Sequence, residues 1–269
     1  MAAIVIVIFN QKGGVGKTTT TVNLAAGLAL RGYRTCVVDA DPQANATACY
    51  SNDYDLLYAI GDWMLEAVPL EKILIKRSKL LHLIPANQRL KEVAERLVTY
   101  KSREKVLSRA FRRDKLLDLY DFIIIDCPPS AGLLTDNALA VSDYYLVPLD
   151  AMFFSYMGFS SMTQEVTRTL DALDHQSALL GTLLIKYHPK KRNRSMQKTA
   201  RLLRDDPEAR LFETFIQQDE DFDQMGRRCK SIFDLGSYLE EDKNFTAGAK
   251  NYYDLTSEVL NRISNDHKN

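Results

Sequence analysis

The stretch AIVIVIFNQKGGVGKTTT, at residues 3–20, joins a run of apolar side chains to a loop rich in glycine and lysine. Residues 3–9 are apolar throughout, as in a strand that is buried on both faces of a sheet. Residues 18–31 have the spacing of a helix, and Gly32 follows as its stop signal. A glycine-rich loop between a strand and a helix is the context of a P-loop, so this stretch predicts a protein that binds nucleotide phosphates.

The loop supplies groups that suit the binding of phosphate. Its glycines allow backbone N–H groups to wrap around phosphate oxygens, and the following helix adds the partial positive charge of its N-terminus. We expect Lys17 to reach the β- and γ-phosphates and Thr18 to bind Mg²⁺ through its hydroxyl. In place of the first glycine of the ordinary pattern the loop has Gln11, and it contains a second lysine, Lys12. The predicted cofactor-binding residues of the loop are Lys12, Gly13, Gly14, Val15, Gly16, Lys17, Thr18 and Thr19.

Short apolar runs continue to alternate with helical patterns along the rest of the chain. Further strands are predicted at residues 35–39, 80–85, 122–126, 144–148, 179–187 and 212–216. Further helices are predicted at residues 101–119, 133–141, 155–173, 195–204 and 248–263. This alternation predicts an α/β fold, a mostly parallel twisted sheet with helices on both faces. No linker-like stretch divides the chain, so we expect residues 1–269 to form a single P-loop NTPase domain.

Two acidic segments follow predicted strands and are expected to lie at the same edge of the sheet as the P-loop. VDADPQANAT, at residues 38–47, contains Asp39 and Asp41. FIIIDCPP, at residues 122–129, places Asp126 at the tip of a buried strand, where an acid can hold Mg²⁺, usually through water. For Asp39, a place in the outer shell of the metal and a role in forming the turn are both open. The predicted metal-site residues are Thr18 and Asp126.

The loop KGGVGKTT, the segment DPQANAT and the acid-tipped strand together resemble the ParA/MinD family of deviant Walker A P-loop ATPases, and most closely the ParA-type partition ATPases. The resemblance implies an ATP hydrolase that uses Mg²⁺ and closes into a homodimer around its ATP. It also implies that Lys12 crosses to the phosphates of the opposing subunit and that Asp41 orients the attacking water. The residues expected to act in catalysis are Lys12, Lys17 and Asp41.

Recognition of the base is only weakly encoded. By position in the family, Lys186-Tyr187 and Ile216-Gln217-Gln218 are expected to flank adenine, with Gln217 as the cofactor-binding residue. Many relatives have Pro-Arg where this chain has Gln217 and Gln218, so the base pocket departs from the family pattern. The N-K-x-D sequence of guanine-specific P-loop proteins is absent, which agrees with ATP as the nucleotide.

The resemblance also implies partners. ParA-type relatives bind DNA without sequence preference as ATP-loaded dimers, and a ParB-like or other cargo adaptor stimulates their hydrolysis, so that plasmid, chromosome or other cargo is segregated. Between residues 186 and 204 the chain has eight Lys or Arg and no acid, which suits contact with DNA phosphates. A solvated helix face is the other interpretation of this run. The candidate DNA-binding residues are Lys190, Lys191, Arg192, Arg194, Lys198, Arg227 and Arg228.

Composition bears on the competing functions. The formal net charge is zero, which argues against a protein permanently coated with nucleic acid. No run approaches the ~20 apolar residues of a membrane span, and the predicted last helix lacks the basic, apolar face of a membrane anchor, so we expect a cytoplasmic protein without membrane attachment. The resemblance implies that it is nucleoid-associated. The alternatives are a MinD-like membrane-associated positioning ATPase and a ParA-like positioner of a non-DNA cargo such as a microcompartment. A metabolic P-loop enzyme is a third, although the four cysteines contain no C-x-x-C pair for a cluster.

Overall fold

A computed structural model describes residues 2–51, 56–65, 68–150, 156–187, 194–218, 222, 225, 230–235 and 246–268 of the protein. Within them, the strands of one seven-stranded sheet are β1 (Ile4–Ile8), β2 (Thr35–Asp39), β3 (Ile75–Lys76), β4 (Leu81–Ile84), β5 (Phe122–Asp126), β6 (Tyr144–Asp150) and β7 (Ala178–Ile185). Their order across the sheet is β3-β4-β2-β5-β1-β6-β7, and only the edge pair β3–β4 is antiparallel. The predicted mostly parallel sheet is confirmed.

The central strands are largely apolar because the sheet separates two hydrophobic cores. In β1, Val5 and Val7 point into one core, whereas Ile6 and Ile8 point into the other. This alternation follows from the two-residue period of a strand, and it makes a one-residue slip of the register costly. The central position of β1 brings the loop that follows it between the ends of its neighbours β5 and β6.

Helices cover both faces of the sheet. The described helices are α1 (Lys17–Leu30), α2 (Asn45–Ala48), α3 (Ile60–Met64), α4 (Leu90–Leu97), α5 (Val106–Arg113), α6 (Leu116–Leu119), α7 (Leu133–Leu139), α8 (Tyr156–Leu173), α9 (Arg194–Asp205), α10 (Ile232–Leu235) and α11 (Ala247–Asp266). Helices α1 and α11 pack on one face, and α3, α4, α5, α7, α8 and α9 contribute to the core of the other. In the described part of the chain, none of the helices combines the length and apolarity needed to span a bilayer.

The structure corrects the helix predicted at residues 101–119. The segment begins with a 3₁₀ turn, Arg103–Lys105, continues as α5, and breaks before α6 at Lys115, whose φ of 50° is left-handed. The break follows from a tertiary contact, because the Asp114 carboxylate accepts from the Trp63 indole and from Arg113. Trp63 is fully buried, so its indole N–H would have no acceptor without Asp114. Satisfying this buried donor outweighs one further turn of helix.

The strand predicted at residues 212–216 is also corrected, since this segment contacts β7 only through isolated bridges at Leu211 and Ile216. Side chains of α11 occupy the groups that a continuous ladder would use. Glu258 accepts from the backbone N–H groups of Glu213 and Thr214, at 2.9 and 3.0 Å. The Arg262 guanidinium donates to the carbonyls of Leu180, Arg210 and Leu211.

Arg262→Ala is expected to lower the free energy of unfolding by about 2–4 kcal/mol, because three carbonyls and the Glu258 carboxylate lose a donor that is only 18% exposed. Equilibrium urea denaturation would measure the loss. The matched control is Arg201→Ala, which removes an ion pair to Asp205 whose side chains are 84% and 64% exposed, and which we expect to cost less than about 1 kcal/mol. Equal losses in the two variants would contradict this account of Arg262.

Candidate nucleotide site

The carboxyl ends of three adjacent strands meet at one edge of the sheet. Asp126 at the end of β5 pairs in register with Ile8 of β1 and with Asp39 of β2, so the P-loop and both acidic segments converge. A cleft of about 750 Å³ opens at this point. Its lining comprises Gly13, Gly14, Gly16, Lys17, Thr18, Thr19, Asp41, Gln43, Asn45, Pro129, Ile185, Lys186, Ile216, Gln217, Gln218, Phe222 and Tyr252. A cleft at the carboxyl ends of parallel strands is the usual ligand site of such sheets.

The P-loop is held in shape by its own polar groups. Asn10 donates from Nδ2 to the Pro148 carbonyl at 2.8 Å, and its Oδ1 accepts from the Lys12 N–H at 2.9 Å. Gly14 and Gly16 have φ values of 72° and 77°, which a side chain would strain. A Cβ at Gly16 would also lie 2.9 Å from Ile185 Cδ1. The loop is therefore preformed, and the backbone at Gly14 and Gly16 favours glycine.

Lys17 lies across the loop and is only 7% exposed. Its ammonium donates to the Lys12 carbonyl at 3.0 Å. Burial lowers the Lys17 pKa, and the nearby Asp126, Cys127 and Asp41 oppose that shift. A buried ammonium with a single hydrogen bond to a carbonyl is well placed to gain from an anion that enters the cleft.

Asp126 and Thr18 are joined directly. The Thr18 hydroxyl donates to Asp126 Oδ2 at 2.7 Å, and the Thr21 hydroxyl donates to Oδ1 at 3.2 Å. A hydroxyl and a carboxylate are oxygen donors of the kind that Mg²⁺ prefers. Among the described residues, no group of three or more His, Cys, Asp or Glu is arranged to hold a metal by itself. These residues therefore fit an ion that takes its remaining ligands from phosphate and water.

The structure distinguishes between the two roles that the sequence left open for Asp39. Its Oδ2 accepts from the Thr47 N–H at 2.8 Å and from the Thr47 hydroxyl at 2.7 Å, while Oδ1 accepts from the Asp41 N–H. Thr47 in turn accepts from the Ala86 N–H. Asp39 is fully buried, and its hydrogen bonds hold the segment from Asp41 to Thr47 in place, which favours the turn-forming role.

Asp41 borders the cleft directly. It is 5% exposed, and its Oδ1 accepts from the Gln43 N–H at 2.9 Å, a local turn that fixes the side chain. Asp41 is distant from the P-loop residues in the sequence, but it lines the same cleft as they do.

Asp126 makes the stability of the nucleotide-free protein depend on pH. Burial, and then the charge of Asp39, raise the pKa of Asp126 from 3.8 to about 8. Because the folded state holds this proton more tightly than the unfolded state, its contribution to stability is complete below about pH 4 and is lost as the pH rises to about 8. We expect the Tm of the wild type to fall across this window, and that of Asp126→Asn to fall less. Differential scanning fluorimetry at constant ionic strength would compare the slopes, and parallel profiles would contradict the assignment.

Of the residues predicted to flank the base, Lys186, Ile216, Gln217 and Gln218 line the same cleft, whereas Tyr187 does not and instead packs against Phe215. Gln217 donates its N–H to Asn251 Oδ1 at 3.0 Å, which anchors this wall to α11. Lys186 has a left-handed φ of 52°, and its ammonium lies 3.9 Å from Asp150. Sequence reasoning missed Tyr252, which lines the cleft and contacts the Thr20 hydroxyl at 3.2 Å. Nothing in its local pattern distinguishes Tyr252 from any buried residue of an amphipathic helix.

Two of the predicted DNA-binding residues, Arg194 and Lys198, are described, and neither lines this cleft. Arg194 and Lys198 lie on α9 and are exposed, four residues apart on one face of the helix. The other candidates, Lys190, Lys191, Arg192, Arg227 and Arg228, lie outside the described residues.

Comparisons with known proteins agree with this geometry. The model of the family described as "AAA domain" matches residues 3–178. The chain is 40% identical over 185 residues to the chromosome partitioning protein ParA of Myxococcus xanthus, a match covering 68% of this chain and 65% of that protein. It is 32% identical over 264 residues to the chromosome-partitioning ATPase Soj of Treponema pallidum, covering 96% and 97% of the two chains. A match to an uncharacterised protein of Mycobacterium tuberculosis, 40% identical over 189 residues, spans only 59% of that protein.

Solved structures show the same fold. Cobyrinic acid a,c-diamide synthase of Mycobacterium smegmatis, with bound ATP analogue and magnesium, has a TM-score of 0.79 at 28% identity, covering 96% of this chain and 94% of that one. McdA of Cyanothece in a complex with ATP has a TM-score of 0.80 and covers 97% of each chain, but at 21% identity it shows the fold alone.

The P-loop with its second lysine, the convergence of Asp41 and Asp126 on that loop, and a relative that matches nearly from end to end all point the same way. This chain belongs to the ParA/MinD family of P-loop ATPases.

Proposed function

We propose that this protein is a Mg²⁺-dependent ATPase that dimerises around ATP, binds DNA without sequence preference and positions a plasmid, a chromosome or another cargo on the nucleoid. The observation that carries the proposal is the preformed loop, which contains a second lysine, Lys12, and whose buried Lys17 lies near Asp41 and Asp126. The similarity to the chromosome-partitioning proteins of Myxococcus and Treponema supports the proposal that the cargo is DNA, since those proteins are named for the partitioning of chromosomes.

The cleft supports ATP and Mg²⁺ as ligands. Backbone N–H groups from Gly13 to Thr19 would bind the phosphates at the start of α1, and Lys17 would pair with the β- and γ-phosphates. Thr18 and Asp126 would hold the metal, Asp126 through water. When bound, Mg²⁺ neutralises charge on the β- and γ-phosphates. Gln217 and Lys186, from the far wall, would contact the base.

Hydrolysis would transfer the γ-phosphoryl group to water. The bond from the γ-phosphorus to the bridging oxygen of ADP breaks, the bond to the oxygen of water forms, and the proton of that water passes to phosphate or solvent. Asp41 would orient the water, and Lys17 would stabilise the developing charge. Lys12 would reach the nucleotide of the opposing subunit, so the complete site would exist only in the dimer.

Two partners follow from this proposal. The ATP-loaded dimer would bind DNA through phosphate contacts, and Arg194 and Lys198 are described residues with the exposure to make them. A ParB-like or other cargo adaptor would stimulate hydrolysis and return the protein to its unbound state. Hydrolysis without the adaptor is expected to be slow, because the sequence shows no arginine finger supplied by the subunit itself.

Binding to a random-sequence DNA duplex tests the proposal. Fluorescence anisotropy with ATP–Mg²⁺ should show binding, whereas ADP–Mg²⁺ and the nucleotide-free protein should show little. Light scattering in the same buffers should show a dimer only with ATP. Dimerisation without DNA binding would overturn the nucleoid model and favour a membrane or another matrix, which co-sedimentation with anionic vesicles would identify.

A second candidate is an ATP-dependent biosynthetic enzyme, and the likeness to the Mycobacterium smegmatis synthase favours it. Such an enzyme would hydrolyse ATP in response to a small-molecule substrate, without DNA. The anisotropy measurement separates the two functions, because ATP-gated binding to DNA is expected only of the positioning ATPase.

A further inference from the structure

Residues 101–115, which contain the 3₁₀ turn and helix α5, concentrate positive charge. The segment has seven Lys or Arg and two acids, in a chain whose formal net charge is zero. Most of these cations are exposed, whereas Val106, Leu107, Ala110 and Phe111 on the other face of the helix are buried. The side chains that form the α5 cationic surface are Lys101, Lys105, Arg109, Arg112 and Lys115.

The acids of the segment do not neutralise this surface. Glu104 pairs with Arg103 at 3.0 Å, and Asp114 pairs with Arg113 at 2.8 Å. Across the described residues, none of the ion pairs involves a member of the α5 cationic surface. Five cations on a short segment therefore repel one another, and a polyanion would relieve that repulsion.

The shape of the surface suits a row of phosphates. Lys105, Arg109 and Arg112 follow one another at spacings of four and three residues, so they lie on one face of the helix. Such a stripe is about 10 Å long, which spans about three successive phosphates of one DNA strand. Within residues 101–115 every exposed side chain is polar, so the segment itself presents charge rather than an apolar face, and the exposed apolar side chains Val98, Tyr100 and Leu119 lie outside it.

The surface is also tied to the nucleotide cleft. Asn137 of α7 is 1% exposed, and it donates to the Arg103 carbonyl at 2.8 Å and accepts from the Leu107 N–H at 2.9 Å. Helix α7 begins shortly after the segment that contains Asp126 and Pro129, and Pro129 lines the cleft. Asn137 therefore links α7 directly to the start of α5.

We propose that the α5 cationic surface binds the sugar-phosphate backbone of double-stranded DNA in the ATP-bound dimer. This inference rests on the proposed function and adds to it the surface that makes the contact, which is separate from α9. The α5 cationic surface supplies affinity without sequence preference, because its long, exposed cations meet phosphates rather than base edges.

Three variants of equal charge test the assignment. The first combines Lys101→Gln, Lys105→Gln and Arg112→Gln, and it spares Arg109, which donates to the Lys101 and Ser102 carbonyls. The second combines Arg194→Gln, Lys198→Gln and Arg204→Gln on α9. The third is a control at exposed lysines elsewhere and combines Lys72→Gln, Lys79→Gln and Lys250→Gln.

Anisotropy with a random-sequence duplex and ATP–Mg²⁺ would be measured over a series of salt concentrations, with light scattering as the check on dimerisation. The α5 variant should form the dimer, bind DNA at least about tenfold more weakly near 0.1 M salt, and reduce the slope of log K against log salt by about 3. The control should stay within about twofold of the wild type.

The outcomes separate this inference from the proposed function. If the wild type binds DNA and the α5 variant matches the control, the inference is wrong and the proposed function stands. If the α9 variant alone loses binding, the contact belongs to α9 and the inference is again wrong. A wild type that dimerises with ATP but binds anionic vesicles or an acidic protein instead of DNA would overturn both.

Discussion

Lys12→Ala is expected to remove the ATP-dependent dimer while leaving binding of ATP to the monomer intact. The loop uses the backbone of Lys12, whose N–H donates to Asn10 and whose carbonyl accepts from Lys17, so the variant keeps both hydrogen bonds. These two hydrogen bonds do not involve the side chain, so the variant tests the proposed contact of the Lys12 ammonium with the opposing subunit. Hydrolysis is expected to fall by about 10³-fold or more, in the range of a missing arginine finger.

Light scattering and binding of a fluorescent ATP analogue would be measured side by side. The matched variant is Lys17→Ala, which removes the buried ammonium inside the loop and should abolish nucleotide binding itself. A Lys12→Ala protein that still dimerises with ATP would show that the second lysine has no role across the interface. A Lys12→Ala protein that no longer binds ATP would place its role within the subunit.

Asp41→Ala is expected to show the opposite behaviour, an ATP-loaded dimer that persists because hydrolysis falls by about 10²–10⁴-fold. Asp41 lines the cleft and lies outside the P-loop, so its removal leaves the phosphate-binding groups in place. Single-turnover hydrolysis would report the chemical step, and light scattering would report the lifetime of the dimer. Rapid loss of the dimer in this variant would contradict the role proposed for Asp41.

Asp41→Asn is the matched control, since an amide oxygen can still accept from the Gln43 N–H. If the carboxylate itself orients water, Asp41→Asn should be as slow as Asp41→Ala. If the residue acts only by holding the turn, Asp41→Asn should hydrolyse ATP at nearly the wild-type rate. The pair of variants therefore separates catalysis from positioning.

Much of the fold was predictable because its decisive signals are local. The seven apolar residues at 3–9 are typical of a buried strand, and β1, β2 and β5 lie where the sequence predicts them. The P-loop was predictable for a related reason. Positive φ at Gly14 and Gly16 leaves few other residues possible there, so the glycines themselves indicate the backbone path.

Signals that depend on distant residues were not predictable in this way. The sequence predicts one continuous helix over residues 101–119, because the group that interrupts it is distant. The buried indole of Trp63, which donates to Asp114, comes from a helix about 50 residues earlier. The sequence likewise predicts a regular strand at residues 212–216. The Glu258 carboxylate that accepts from its backbone N–H groups comes from α11, which is distant in the sequence. Both errors arise where a long-range hydrogen bond outweighs local propensity.

The candidate site divides along the same line. By itself, the sequence determined the phosphate loop, the two acidic segments and the expectation that they meet, because parallel strands carry their carboxyl ends to one edge. Only the tertiary structure decided which hydrogen bonds each acid makes and which of them borders the cleft. Asp39 and Asp41 are two residues apart and chemically alike, yet the hydrogen bonds of Thr47 hold Asp39 while Asp41 borders the cleft. Their difference lies in which donors the fold brings within reach, and a linear pattern of residues does not contain that information.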